Sequence, residues 1–244
     1  MNGKNRPGIG IILFLFLYIL TNGCVGSEID EEWGDGDPLE DTNRVFYGVN
    51  DILDDVLLEP IAETYVDYTP AVIQSGISNF FDNLAYPGVI INNILQGKIG
   101  HGLEGIGRFL INTILGIGGL FDPATHLGFE RHQEDLGQTL GTWGAGEGGY
   151  LVVPLVGPNS VRDVPGLVAN LFTNLLYYAE SSVMFPLFVI DAIDRRADYL
   201  TVTRLRDQVA LDPYLFTREG YRERRKHLIY DGDVPEEYEE YEEE

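Results

Sequence analysis

His101, His126, His132 and His227 are the side chains best suited to move a proton or hold a metal near neutral pH. They are scattered, with no HExxH pair and no Cys/His cluster, so no zinc site is expected. No GxSxG turn is present to raise a serine nucleophile. Asp122, His126 and His132, with Glu130 and Asp135, would supply the carboxylate and imidazole of a hydrolase, but they fall in a polar loop where such residues are usually just solvated. The run Gly144-Ala-Gly-Glu-Gly-Gly149 lacks a preceding strand, GxGxxG spacing and a following βαβ unit, so it is not a dinucleotide loop. No enzyme, metal or cofactor is expected. Arg162-Asp163 reads as a structural ion pair or a helix cap. Arg108 differs, because it stands inside an apolar stretch, where a charge must be paired or must face a wet cavity. Glu104 or Asp122 would pair it; alternatively its fork of donors suits a phosphate.

The elements that would position these residues read as helices. Residues 42–58 place Val45, Phe46, Val49, Ile52, Leu53, Val56 and Leu57 at three-and-four spacing, an amphipathic helix. Asp37-Pro38-Leu39-Glu40 looks like its start. A second segment runs from Ile61 to about Tyr68, and further short helices over 71–84 and 89–95 are separated by Pro87-Gly88. Tyr150–Pro154 is the best extended candidate, and the fold class is all-α or close to it.

Two stretches are unusually apolar. Residues 102–121 carry only Glu104 and Arg108 as charges, and residues 167–190 only Glu180. Glycines break the first; Asn170, Asn174, Glu180 and Pro186 interrupt the second. Buried core helices account for both, and so do broken or in-plane helices at a membrane. Residues 100–149 hold 14 of the 29 glycines. Each costs roughly 1 kcal/mol in a helix interior, so this density marks close backbone approach, unusual φ values or movement, notably around Gly116–Gly119.

The net charge of −23 sits mostly at the ends. Residues 28–41 carry eight acids and residues 231–244 carry nine, with no base in either, which leaves 42–230 with 22 acids against 14 bases. Such blocks stay solvated, as a tether (24–41) and a disordered tail (231–244), unless a basic partner or a cation takes them. The acidity excludes sequence-independent nucleic-acid binding. Residues 1–23 read as a signal peptide: Lys4 and Arg6 precede a 13-residue apolar run, Gly8 to Leu20, shorter than the roughly 20 residues a membrane span needs. Thr21-Asn22-Gly23-Cys24 resembles a bacterial lipobox, with Thr21 where Leu is preferred, so Cys24 is the expected lipidation site. Val25 lacks the Asp of an inner-membrane retention signal, which points to the outer membrane.

The order of motifs resembles the MlaA/VacJ family of outer-membrane lipoproteins over about 37–220. Asp37-Pro38-Leu39-Glu40 with Asn43-Arg44 resembles the family's DPxExxNR. Ser78-Asn79-Phe80, Asn83-Leu84, Pro87 and Asn92 to Gly97 resemble NFxxNLxxP…NxxLQG. Arg108-Phe109, Asn112-Thr113, Gly116, Gly118-Gly119 and Asp122 resemble RFxxNTxxGxGGxxDxA, and Gly137 to Tyr150, Pro154, Gly157-Pro158 and Arg162-Asp163 resemble the glycine-rich block ending in GPxxxRD. Leu136, Gly149 and the acidic tail depart from that pattern.

The resemblance implies a ring of short, broken helices set in the outer membrane around a central pore. It implies removal of misplaced phospholipid from the outer leaflet and delivery to a periplasmic lipid-carrier protein, often beside a trimeric porin, without chemical change to the lipid. Arg108, Asn112, Gly116, Gly118 and Asp122 are then the expected pore or lipid-path residues, the glycines as a movable part of the wall. Asp37, Pro38, Asn43, Arg44, Asn79, Phe80, Asn83, Pro87, Arg162 and Asp163 are expected as structural members of the motifs. A lipoprotein scaffold that holds a porin or envelope complex without moving lipid is the competing reading.

Overall fold

The first helix already departs from the usual arrangement of a folded chain. α1 (Glu40–Leu53) begins with Glu40 and Asp41 in its first turn, where acids complement the partial positive charge of the helix end. Its apolar stripe, however, is outward: Val45, Val49 and Ile52 are exposed, while Asn43 is buried. A computed structural model describes residues 37–235, and the chain from Leu39 onward forms one compact unit. The signal peptide, Cys24, most of the acidic tether and the end of the tail lie outside the described residues.

α1 passes through a π-helical turn, Asp54–Leu58, into α2 (Glu59–Tyr68) without leaving helical backbone angles, and Pro60, which has no N–H to donate, follows directly on that turn. α3 (Ala71–Leu95) is one helix where the sequence suggests two. Pro87 removes a single backbone donor, and the helix carries on because it packs along its length on α4 (Ile99–Ile114). The hairpin between them is tight. A Cβ on Gly102 would lie 2.7 Å from Ile94 Cγ1, so these glycines bring α4 against α3.

A turn over 115–122 leads to the single-turn α5 (Pro123–His126), and a loop over 127–135 leads to α6 (Leu136–Thr142), capped by the Asp135 side chain. The expected extended segment is β1 (Tyr150–Val153), paired antiparallel with β2 (Gly157–Ser160) in the register Tyr150 to Ser160. α1 serves the free edge of β1 as a neighbouring strand would. Asn43 donates to the Tyr150 carbonyl and accepts from the Val152 amide, both at 2.9 Å, and Asn50 does the same for Val153 and Leu155. The hairpin packs Tyr150 and Val152 against Tyr214, flanked by Tyr47, Leu215 and Tyr221.

α7 (Val164–Thr173), a 3₁₀ turn (Leu175–Tyr178), α8 (Ser181–Val209) and α9 (Pro213–Ile229) complete the chain. The apolar start of α8 contains Pro186 without breaking. Its charged second half is zipped to α1 and α2: Arg196 pairs with Asp54 and Glu59, Arg204 with Glu63, and Arg206 with Asp51. Among the described residues, no helix is long and apolar enough to cross a membrane.

Candidate functional site

Spacing on α3 builds one wall of the site. Asn79, Asp82, Asn83 and Tyr86 fall at i, i+3, i+4 and i+7, a single helical face. Arg108 and Asn112 face them from α4, Asp122 from the start of α5 and Arg131 from the loop that follows. Together they line a small recess open to solvent. Three of the five residues expected on a lipid path, Arg108, Asn112 and Asp122, therefore meet here, joined by Asn79 and Asn83, which the sequence suggests only as structural.

The Arg108 side of the recess is saturated. Arg108 is 3% exposed, donates to Thr125 Oγ1 at 2.8 Å and the Phe129 carbonyl at 2.9 Å, and pairs with Asp122. Of the alternatives open for Arg108, the geometry takes the ion pair with Asp122; Glu104 instead accepts from the Glu130 amide at 2.7 Å. Asn112 donates to Asp122 and accepts from the Ala124 amide, and Asn83 donates to Thr113. Burial alone would raise the Asp122 pKa; hydrogen bonds from Thr125 and Asn112 and the Arg108 charge outweigh it and hold the carboxyl below its ordinary range.

Gly116 and Gly118 lie in the turn beside this network. A Cβ on Gly116 would sit 2.3 Å from the Phe121 carbonyl oxygen and 2.4 Å from that of Asn112, so the turn closes only around glycine. Gly119, at φ 97°, lies beneath Asn83, whose Cβ would be 2.5 Å from an added methyl group. Gly118, at φ 72°, faces open space.

The other half of the recess was not legible in the motifs. Arg131 pairs with Asp82, and both are partly exposed. Tyr86 is 5% exposed, and no described residue accepts the proton of its hydroxyl. Burial pushes the Tyr86 pKa up, against a smaller opposing hydrogen bond from the His132 backbone amide to the phenol oxygen. The signal available for Tyr86 was its place on the face of Asn79 and Asn83.

The remaining motif residues hold the frame. Pro38 precedes α1, and Arg44 joins Glu40 and Asp212 and covers the Tyr214 ring at 4.4 Å. Phe80 meets Phe81 edge-on. Arg162 and Asp163 do pair, at 3.1 Å, but Asp163 does not cap α7 with its side chain; it anchors Arg225 and Tyr221 of α9 instead. His126 turns to the Asp122 backbone carbonyl, His132 stacks on His101 at 4.1 Å, and Asp135 pairs with Arg225, so the residues of the hydrolase reading are dispersed. Asp54, Asp55 and Glu59 bring three carboxylates within 4.8 Å, but Arg196 already pairs with two of them.

The family model described as MlaA lipoprotein matches residues 35–228. The chain belongs to the MlaA lipoprotein family. It is 34% identical over 219 residues to the intermembrane phospholipid transport system lipoprotein MlaA of Escherichia coli, covering 88% of this chain and 86% of that one. The protein of the same name in Haemophilus influenzae is 30% identical over 232 residues, covering 93% and 92%. A chain solved in work on the structural basis for maintenance of bacterial outer membrane lipid asymmetry superposes with a TM-score of 0.70 at 34% identity, covering 80% of this chain and 99% of that one. The mostly helical fold agrees with that family, and the recess draws on the segments 78–97 and 108–122 and on Arg131 beyond them.

Proposed function

We propose that this chain is an outer-membrane lipoprotein that takes mislocalised phospholipid from the outer leaflet through a polar passage and hands it to a periplasmic carrier, so keeping the membrane asymmetric. One observation carries the reading: the distribution of side chains is inverted. Buried positions include Asn43, Asn83, Asn92, Asn93, Arg108, Asn112, Asp163 and Asp194, whereas Val56, Val72, Leu103, Ile114, Phe172 and Phe185 are each more than half exposed. A water-soluble chain hides such apolar groups; one surrounded by lipid tails has no reason to. Among the described residues no helix is both long and apolar enough to cross a bilayer, and helices with apolar sides outward suit an in-plane position in the inner leaflet. The recess is lined by polar and charged side chains, which suits a headgroup while the acyl chains stay outside.

In this reading Cys24 is acylated after removal of residues 1–23, and a trimeric porin and a soluble lipid carrier are the protein partners, as the family resemblance implies. The turn with Gly116 and Gly118 forms part of the passage wall. Gly118→Ala is the informative substitution there, since Gly116→Ala collides with backbone.

The test is the phospholipid content of the outer leaflet in a strain lacking the gene. A rise on deletion, reversed by the wild-type copy but not by Cys24→Ala, is expected. An unchanged leaflet would instead support a scaffold that holds a porin without moving lipid.

A further inference from the structure

The recess has two guanidinium groups, and they differ in what they are free to do. Arg108 is sealed: to meet a ligand it would have to abandon Asp122 and the Phe129 carbonyl. Arg131 stands on the 127–135 loop, its side chain 43% exposed, and its partner among the described residues is Asp82, itself 31% exposed. Exposed pairs of this kind contribute little to stability, so a competing anion exchanges with the carboxylate at small cost. Beside them lies the Tyr86 hydroxyl, buried, its oxygen facing the His132 backbone amide and its own proton without an acceptor among the described residues. A buried hydroxyl left unsatisfied is an unusual expense in a folded chain, and an oxygen-rich ligand would relieve it. Asn79 adds an amide on the same helical face.

We propose that Arg131, Tyr86 and Asn79 form a phosphodiester-binding corner of the recess, with Asp82 occupying Arg131 until a headgroup displaces it. The inference rests on the lipid-transport reading and names the contact that reading lacks. A planar guanidinium offers two parallel donors to two phosphate oxygens. The phosphate retains lone pairs for the Tyr86 proton, so the group matches all the donors at once. Asp82 is then a competitor that a bound headgroup displaces from Arg131, and its release accompanies binding.

The role of Asp82 gives the test its sign. Full-length protein in a nonionic maltoside is titrated with dihexanoylphosphatidylethanolamine by calorimetry, and separately with inorganic phosphate. Thermal unfolding of each variant verifies its fold. Arg131→Gln is expected to weaken lipid binding about tenfold or more, as loss of charged hydrogen bonds does, and Tyr86→Phe several-fold. Asp82→Asn is expected to tighten it several-fold, an effect a merely structural ion pair would not produce. Equal weakening by Asp82→Asn and Arg131→Gln, or no change in either, overturns the proposal. If Arg131→Gln does not fold, Arg131→Lys keeps the charge without the fork and is expected to bind more weakly than wild type; equal binding overturns the assignment. Inorganic phosphate binding as tightly as the lipid would make the corner a free-oxyanion site and overturn the headgroup assignment. Lipid binding that ignores Arg131 leaves the transport reading standing and removes this inference, whereas no lipid binding by the wild type removes the transport reading itself.

Discussion

Asn43 is 2% exposed and holds two backbone groups of β1 at once. Asn43→Ala leaves a buried carbonyl and a buried amide unpaired, so a loss of about 2–4 kcal/mol is expected from equilibrium unfolding in urea. The glycine turn allows a sharper comparison between neighbours. Gly118→Ala strains only its own backbone at φ 72°, with nothing within 4 Å, and should cost about 1 kcal/mol. Gly119→Ala adds a collision with Asn83 to the same kind of strain and should cost about 2–4 kcal/mol in the same assay. Equal losses would mean that contact with Asn83 is not what selects glycine there. The Arg108–Asp122 pair was half legible at this scale: a lone charge in an apolar stretch demands a partner, but Glu104, Asp122 and a phosphate all suited it, and only the fold selects the acid 14 residues on. The Arg131–Asp82 pair was not, because 49 residues separate two unremarkable polar side chains.

At the scale of elements, α9 is fastened to α6 and α7 through Arg225, which meets Asp135 at 2.5 Å and Asp163 at 3.1 Å. Asp135 also caps α6. Its burial favours the neutral acid, but Arg225 and the Gln138 hydrogen bonds overcome this and hold its pKa below the ordinary value. A lowered folded pKa contributes stability that is complete above the unfolded value of about 4 and disappears as pH falls through the lower, folded one. Unfolding free energy is therefore expected to be flat in this contribution from pH 7 to about 5 and to decline below about 4. Asp135→Asn should remove that part of the decline while lowering stability at pH 7. The sequence showed the helices and the hairpin because periodicity, capping acids and prolines are local signals. It misread Pro87 because the factor that decides is remote: α4 packs along α3 and holds the two halves in line. The place of Asp163 was likewise half legible, since Arg162 is adjacent but Arg225 lies 62 residues away.

For the whole molecule, the claim with the largest consequence is that the apolar surface belongs to a lipid environment. Its outer parts include the start of α8, where Phe185 is 62% and Val189 55% exposed. If these side chains face lipid, they contribute little to the folded state itself. The double substitution Phe185→Asn and Val189→Asn is then expected to leave urea unfolding within about 0.5 kcal/mol, as surface changes do. Membrane affinity should respond strongly. Each side chain gains roughly 1.5–3 kcal/mol when fully removed from water, so about half of that from each corresponds to roughly a tenfold to hundredfold fall in partitioning. Co-flotation of the purified protein with phospholipid vesicles measures it. Val152→Asn provides the contrast, since Val152 is 4% exposed and packs with Tyr150 and Tyr214; that change should cost several kcal/mol, about 2–4, by burying a polar group in an apolar cluster. Loss of the fold in the Phe185/Val189 variant would place those residues in a core and remove the inverted surface as an argument for membrane residence. A stable variant that no longer floats with vesicles would locate the lipid contact on α8.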